Sequence, residues 1–142
     1  MQHRCVLMLL SLVLLAGCGN PDRSAMLELG NQLTASWDAE PPAPVNDKRA
    51  SILRVAVGDR TSADIIDQFL TEHPQVSTQG RKKMEELRDT LRELADLVEM
   101  GARRASIDLN EQETQHMREL LRKKLNLMDE LTAVAKGESW KP

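Results

Sequence analysis

RKKMEELRDTLRELADLVEMGARRASIDLNEQETQHMRELLRKKLNLMDELTAVAK, residues 81–136, is the stretch whose reading decides the fold. In its first half Met84, Leu87, Leu91, Leu94, Val98, Gly101 and Ala105 recur alternately three and four apart. That is a heptad seam along one helix face. Gly101, Ala102 and Ala105 carry little bulk and leave room for a close neighbour. In the second half Met117, Leu120, Leu121, Leu125, Met128, Leu131, Val134 and Ala135 cover nearly half of a helix circumference. A face that wide meets two neighbours rather than one. Asp108 and Asn110 each stand three residues before a glutamate, Glu111 and Glu113, so a capping box fits either register. Gly137 follows the last apolar residue and suits a helix end. The spacing therefore predicts an antiparallel helical hairpin over 81–104 and 110–136.

Upstream, Met26, Leu29, Leu33 and Trp37 share one helical face over 22–37, with Asp22 or Ser24 placed to cap it. Residues 38–47, DAEPPAPVND, hold Pro41, Pro42 and Pro44 and read as a semi-rigid connector. Residues 48–57, KRASILRVAV, fit either a short helix or a strand. Ile52, Val55 and Val57 favour strand by type, whereas Ala50, Leu53 and Val57 fit helical spacing. Helix is preferred, because no second clear strand exists to pair with it. Gly58 then ends that helix, 59–62 turn, and Thr61 or Ser62 caps a further helix with Ile65, Ile66, Phe69 and Leu70 inward. Pro74 stops it. The fold class is all-α: a small helical bundle built on the long hairpin, with the shorter helices packed on its wide face.

Composition agrees. Trp37, Phe69 and Trp140 are the whole aromatic set, fewer than sheet-rich domains and carbohydrate sites use. The chain carries 19 basic and 22 acidic side chains, a balance that argues against nucleic acid and against electrostatic capture by anionic lipid.

The first twenty residues, MQHRCVLMLLSLVLLAGCGN, are of another kind. His3 and Arg4 precede an apolar run from Val6 to Leu15, and Ala16 and Gly17 follow. This is the layout of a secretory signal peptide. The run is about half of the ~20 residues that span a bilayer. Leu15-Ala16-Gly17-Cys18 resembles the lipobox of bacterial lipoproteins. The resemblance covers only this signal and its cysteine. It implies cleavage between Gly17 and Cys18 and acyl chains on Cys18. More than one chain makes such an anchor stable. Gly19, Asn20 and Pro21 follow, with no Asp directly after Cys18, the residue that resembles an inner-membrane retention signal. The implied address is the outer membrane, lipid-anchored and facing the periplasm. Removal of 1–17 takes Arg4 and Cys5 with it and leaves 125 residues of net charge −4, one domain's worth of chain. With Cys18 lipidated, no thiol remains for a disulfide.

Organisation follows: a signal peptide at 1–17; a lipidated segment at 18–47 with one helix and the connector; an α-helical domain at 48–142. The first helix is expected to ride close to the membrane, with the 48–136 body swinging beyond Pro41–Pro44.

Candidate chemistry is sparse. Glu113 and His116 have the Glu-x-x-His spacing of carboxylate-bridged metal bundles, but only one copy is present, so no metal or other cofactor is assigned. No Gly-x-Ser-x-Gly elbow, phosphate loop or Cys-x-x-Cys pair occurs, and the chain is not read as an enzyme. The basic runs 81–83, 103–104 and 122–124 alternate with acids and read as a solvated, paired face. Leu97 and Met100 lie off the seam, and Trp140 lies in a polar tail. Each is either packed inward or part of a surface for a protein partner. The expected function is a membrane-anchored, non-enzymatic interaction or envelope-assembly factor, loosely similar to secretion-system pilotins. Alternatives are an immunity or exclusion lipoprotein that neutralises a toxin or conjugation partner, and a small-ligand or metal carrier using the bundle interior.

Overall fold

A computed structural model describes residues 20–39, 47–106 and 108–142. These residues form α1 (Arg23–Asp38), α2 (Lys48–Glu72), α3 (Thr78–Arg103) and α4 (Glu111–Ala135). The all-α expectation holds, and so does the helical arm at 48–57.

Local chemistry starts each long helix. Asp47 accepts from the Ala50 N–H at 2.9 Å at the head of α2. The Ser77 hydroxyl accepts from the Gly80 N–H at 3.0 Å at the head of α3. Of the two registers for the capping box, α4 takes Asn110 with Glu113, each side chain accepting from the other's backbone N–H. Such caps satisfy N–H groups that no intrahelical carbonyl can reach. Gly137, at φ 103°, turns the chain out of α4.

Neighbouring helices run antiparallel in a ring. Arg60–Asp96 and Arg88–Asp67 pair α2 with α3 in opposite directions. Lys83–Glu130 and His116–Glu93 do the same for α3 and α4. At either end of α1, Arg23 donates to the Ala135 carbonyl of α4 and Trp37 Nε1 to Ser62 of α2. The most extensive pairing is α2 with α3, ahead of the α3–α4 hairpin. One core takes Met26, Leu29 and Leu33 from α1, Ile66 and Phe69 from α2, Met84, Leu87 and Leu91 from α3, and Leu127, Leu131 and Val134 from α4. Beyond it Leu94, Leu97 and Leu120 form a smaller cluster, with Leu109 and Met117 against it.

Three sequence expectations are corrected. Gly58 does not end a helix, and 59–62 do not turn: α2 is continuous through them. The reason lies across the bundle. Asp59 and Ser62 are buried, and their partners, Lys124 of α4 and the Trp37 indole, lie to one side of an unbroken helix. Asp22 does not cap α1 with its side chain. Its carboxylate, 1% exposed, accepts instead from Ser77 N (2.9 Å), Ser77 Oγ (2.5 Å) and Trp140 Nε1 (2.6 Å). A Cβ at Gly80 would come 2.5 Å from Asp22 Oδ2, so glycine makes this approach possible. The third concerns organisation. The first helix does not stand apart from a swinging body, because its buried face belongs to the same core as α2, α3 and α4. The connector residues 40–46 lie outside the described residues.

Candidate functional site

The stretch Leu15, Ala16, Gly17 and Cys18 that resembles a lipobox, with the cleavage point it implies, lies outside the described residues. Description begins at Asn20, whose amide donates to the Glu138 carbonyl at 2.7 Å. This places the start of the described residues beside the segment that follows α4. Among the described residues no helix is long and apolar enough to cross a membrane.

Leu97, Met100 and Trp140 do not make one surface. Leu97 is 8% exposed and packs with Leu94 and Leu120, so it is withdrawn as a surface residue. Off the 84–98 seam, it still faces inward because α3 is covered on two sides, by α2 and by α4. Met100 is 39% exposed, in a shallow depression whose charged neighbours include the Arg60–Glu99 and Arg103–Glu99 pairs. Trp140 is half-buried at the opposite end, its indole tied to Asp22.

Glu113 and His116 go to different partners. Glu113 takes a two-pronged contact from Arg104, with both distances 2.5 Å, and accepts from the Asn110 N–H. The Arg104 guanidinium, and after it the Asn110 N–H, hold the Glu113 carboxyl below the usual carboxylate range. His116 Nε2 lies 2.7 Å from Glu93 on α3. The basic runs are paired in part: Lys83 with Glu130, Lys123 with Glu86, Lys124 with Asp59, Arg103 with Glu99, whereas Arg81 donates to the Leu70 carbonyl. Along α2 and α3, Asp67 sits between Arg88 and Arg92. Burial pushes its carboxyl up, but the two guanidiniums together outweigh that and hold it low.

One side of the bundle differs. α1 has 16 residues, whereas α2 and α4 have 25 each. It stops beside Ser62, and α2 runs on to Lys48 without it. Where α1 is present, a cleft of about 300 Å³ opens between it and α4, lined by Leu33, Trp37 and Met128 among others. Past its end a second apolar hollow of about 370 Å³ opens, with Ile52 and Val55 of α2, Val98 of α3, Leu109, and Met117 of α4 on its walls. Leu121 and Leu125 fall between Met117 and Met128 at helical spacing on α4. Large apolar side chains here are exposed: Leu121 by 43%, Leu125 by 61%, Val55 by 57%, and Trp37, at the end of α1, by 41%. Lys124 and Asp59 meet at 2.5 Å between the walls. The arrangement is an apolar groove, open along one side.

The sequence reading did not find this groove. It took Leu121 and Leu125 as part of a face covered by two neighbours. By ending a helix at Gly58 it hid the mismatch between a 16-residue α1 and an α2 of 25 residues. Comparison with protein-family models, with curated proteins and with solved structures finds no match to this chain.

Proposed function

We propose that this chain is a non-enzymatic interaction or envelope-assembly factor, held to the outer membrane by acyl chains on Cys18 and facing the periplasm. The observation that carries the interaction role is the exposure of Val55, Leu121, Leu125 and Trp37, with an apolar hollow lined by Val55 and Met117. A large side chain left half in water forgoes part of the roughly 1.5–3 kcal/mol that full burial gives. Two leucines, a valine and a tryptophan together on one side have the character of a contact surface rather than of scattered exposed residues. The resemblance to a lipobox supports the membrane address.

The test replaces Leu121→Asp and Leu125→Asp together and places a photo-crosslinking residue at position 55. Wild-type cells should give a discrete crosslinked band from a membrane fraction, and the double variant should lose it while keeping its helical circular dichroism. An unchanged band from the folded variant removes the groove as the interaction surface. Separately, Cys18→Ser should move the protein from the membrane to the soluble fraction.

A further inference from the structure

At one end of the bundle α1 and α3 begin and α2 and α4 stop. There the first and last described segments are stitched together. Asn20 donates to the Glu138 carbonyl, Trp140 Nε1 to Asp22, and Gln79 of α3 to the Lys141 carbonyl. The Lys141 N–H donates to Glu130 at 2.8 Å and closes the clasp. The tail after Gly137 therefore lies across the starts of α1 and α3.

This is also the end that the anchor would hold. Cys18 stands two residues before Asn20. Two residues of fully extended chain span at most about 7 Å. The polar layer on either side of the hydrocarbon is about 5–8 Å deep. With acyl chains on Cys18 entering the hydrocarbon, Asn20 and the groups bonded to it cannot stand clear of the headgroups.

Charge permits the contact. Arg23, Arg81, Lys82, Lys136 and Lys141 stand at this end against Asp22, Glu72, Glu138 and the Pro142 carboxyl, so headgroup phosphates meet no net repulsion. Arg23, Lys82, Lys136 and Lys141 are exposed, and none has an ion-pair partner among the described residues. The acidic balance of the whole chain argues against capture by charge alone, but the tether supplies the affinity here. Trp140, half-buried, is of a residue type that gathers at membrane–water interfaces.

We infer that the bundle stands on the lipid surface on this end, with Arg23, Lys136 and Lys141 toward headgroup phosphates and Trp140 at the interface. This rests on acylation of Cys18 as proposed above, and it gives the interaction surface an orientation. Leu125 is ten residues from the end of α4, about 15 Å and clear of the headgroups. Met100 and the hollow at Val55 lie farther out still.

The test uses the full chain, purified with its acyl chains and placed in vesicles of phosphatidylcholine and phosphatidylglycerol that carry a headgroup spin label. With Cys5 removed and Cys18 acylated, one introduced cysteine takes a fluorophore: Ser139→Cys, Leu125→Cys or Met100→Cys, all exposed positions. The label at 139 should be quenched at least about threefold more than that at 100, which stands about 33 Å higher along α3, and more than that at 125. Lys136→Glu with Lys141→Glu should lower quenching at 139 about twofold while the chain still floats with the vesicles. Quenching at 139 that ignores the two glutamates overturns the phosphate contact. Quenching at 125 as strong as at 139 means that the bundle lies on its apolar side, and overturns the inference. A chain that floats with 139 unquenched also overturns it and leaves the anchor standing. A chain that does not float removes the anchor and this inference together, while a position-55 crosslink still reports the interaction role.

Discussion

Asp22 shows how far one side chain can depart from its local role. Its position before Arg23 marks it as a cap, yet its oxygens serve Ser77 and Trp140. Nothing within three residues of Asp22 announces those partners, which lie 55 and 118 positions away. A buried donor stripped of its acceptor costs about 1–3 kcal/mol. Asp22→Ala should therefore lower stability to urea by at least that amount. In a Trp37→Phe background it should also shift Trp140 emission to the red; emission that stays put places Trp140 independently of Asp22. Glu113 makes a second prediction at this scale. Its depressed carboxyl gives stability that is complete above its unfolded pKa of about 4.3 and is lost as pH falls through the lower folded value. The melting temperature of the wild type should drop as pH falls below about 4. Glu113→Gln should show a shallower drop over the same window. If the two curves stay parallel, the Arg104 contact contributes nothing measurable.

Among the elements, what was legible in the sequence was what repeats locally. The seam at Met84, Leu87, Leu91 and Leu94 gave α3, and Asn110 with Glu113 gave the start of α4, because spacing and capping are contained within a few residues. The error at Gly58 has the opposite origin. Glycine costs a helix interior about 1 kcal/mol relative to alanine. Packing on both sides of the break, through Ala56, Ala63 and Ile66, outweighs that cost in α2. No local pattern reports such packing, which arrives from α3 and α1. Gly30 offers a cleaner measure of the same term. A Cβ there meets nothing within 4 Å, and the residue lies inside α1. Gly30→Ala should raise stability by about 1 kcal/mol, checked by thermal melting. A loss would mean that the cleft beside α1 does not tolerate the extra methyl.

At the scale of the molecule, the largest change from the sequence reading is the place of α1. The connector suggested two parts, but Met26, Leu29 and Leu33 make α1 a wall of the main core. Truncating one such leucine to alanine costs about 2–5 kcal/mol, so several together hold a helix without help from the backbone. Protease cutting near Ala43 should therefore leave both pieces together on gel filtration and the body on the membrane. A Leu29→Ala/Leu33→Ala variant cut at the same place should release it. Release of the wild-type body on cutting would show that the connector, rather than the core, does the holding. The groove was illegible for the same reason that α1 was misplaced: both depend on relative helix lengths across the bundle.

The ladder of Arg60, Arg88 and Arg92 against Asp64, Asp67, Asp96 and Glu99 has a consequence of its own. Each pair adds little to stability, about 0–1 kcal/mol at an exposed site. Their combined effect is on what leaves the surface. Opposite charges a few ångströms apart largely cancel within a Debye length of about 8 Å at physiological salt, so the ladder leaves only a small negative excess on the α2–α3 side. A neighbour approaching from that azimuth feels little electrostatic steering. Salt should therefore change the approach of a charged molecule to this side less than its approach to unpaired charges elsewhere.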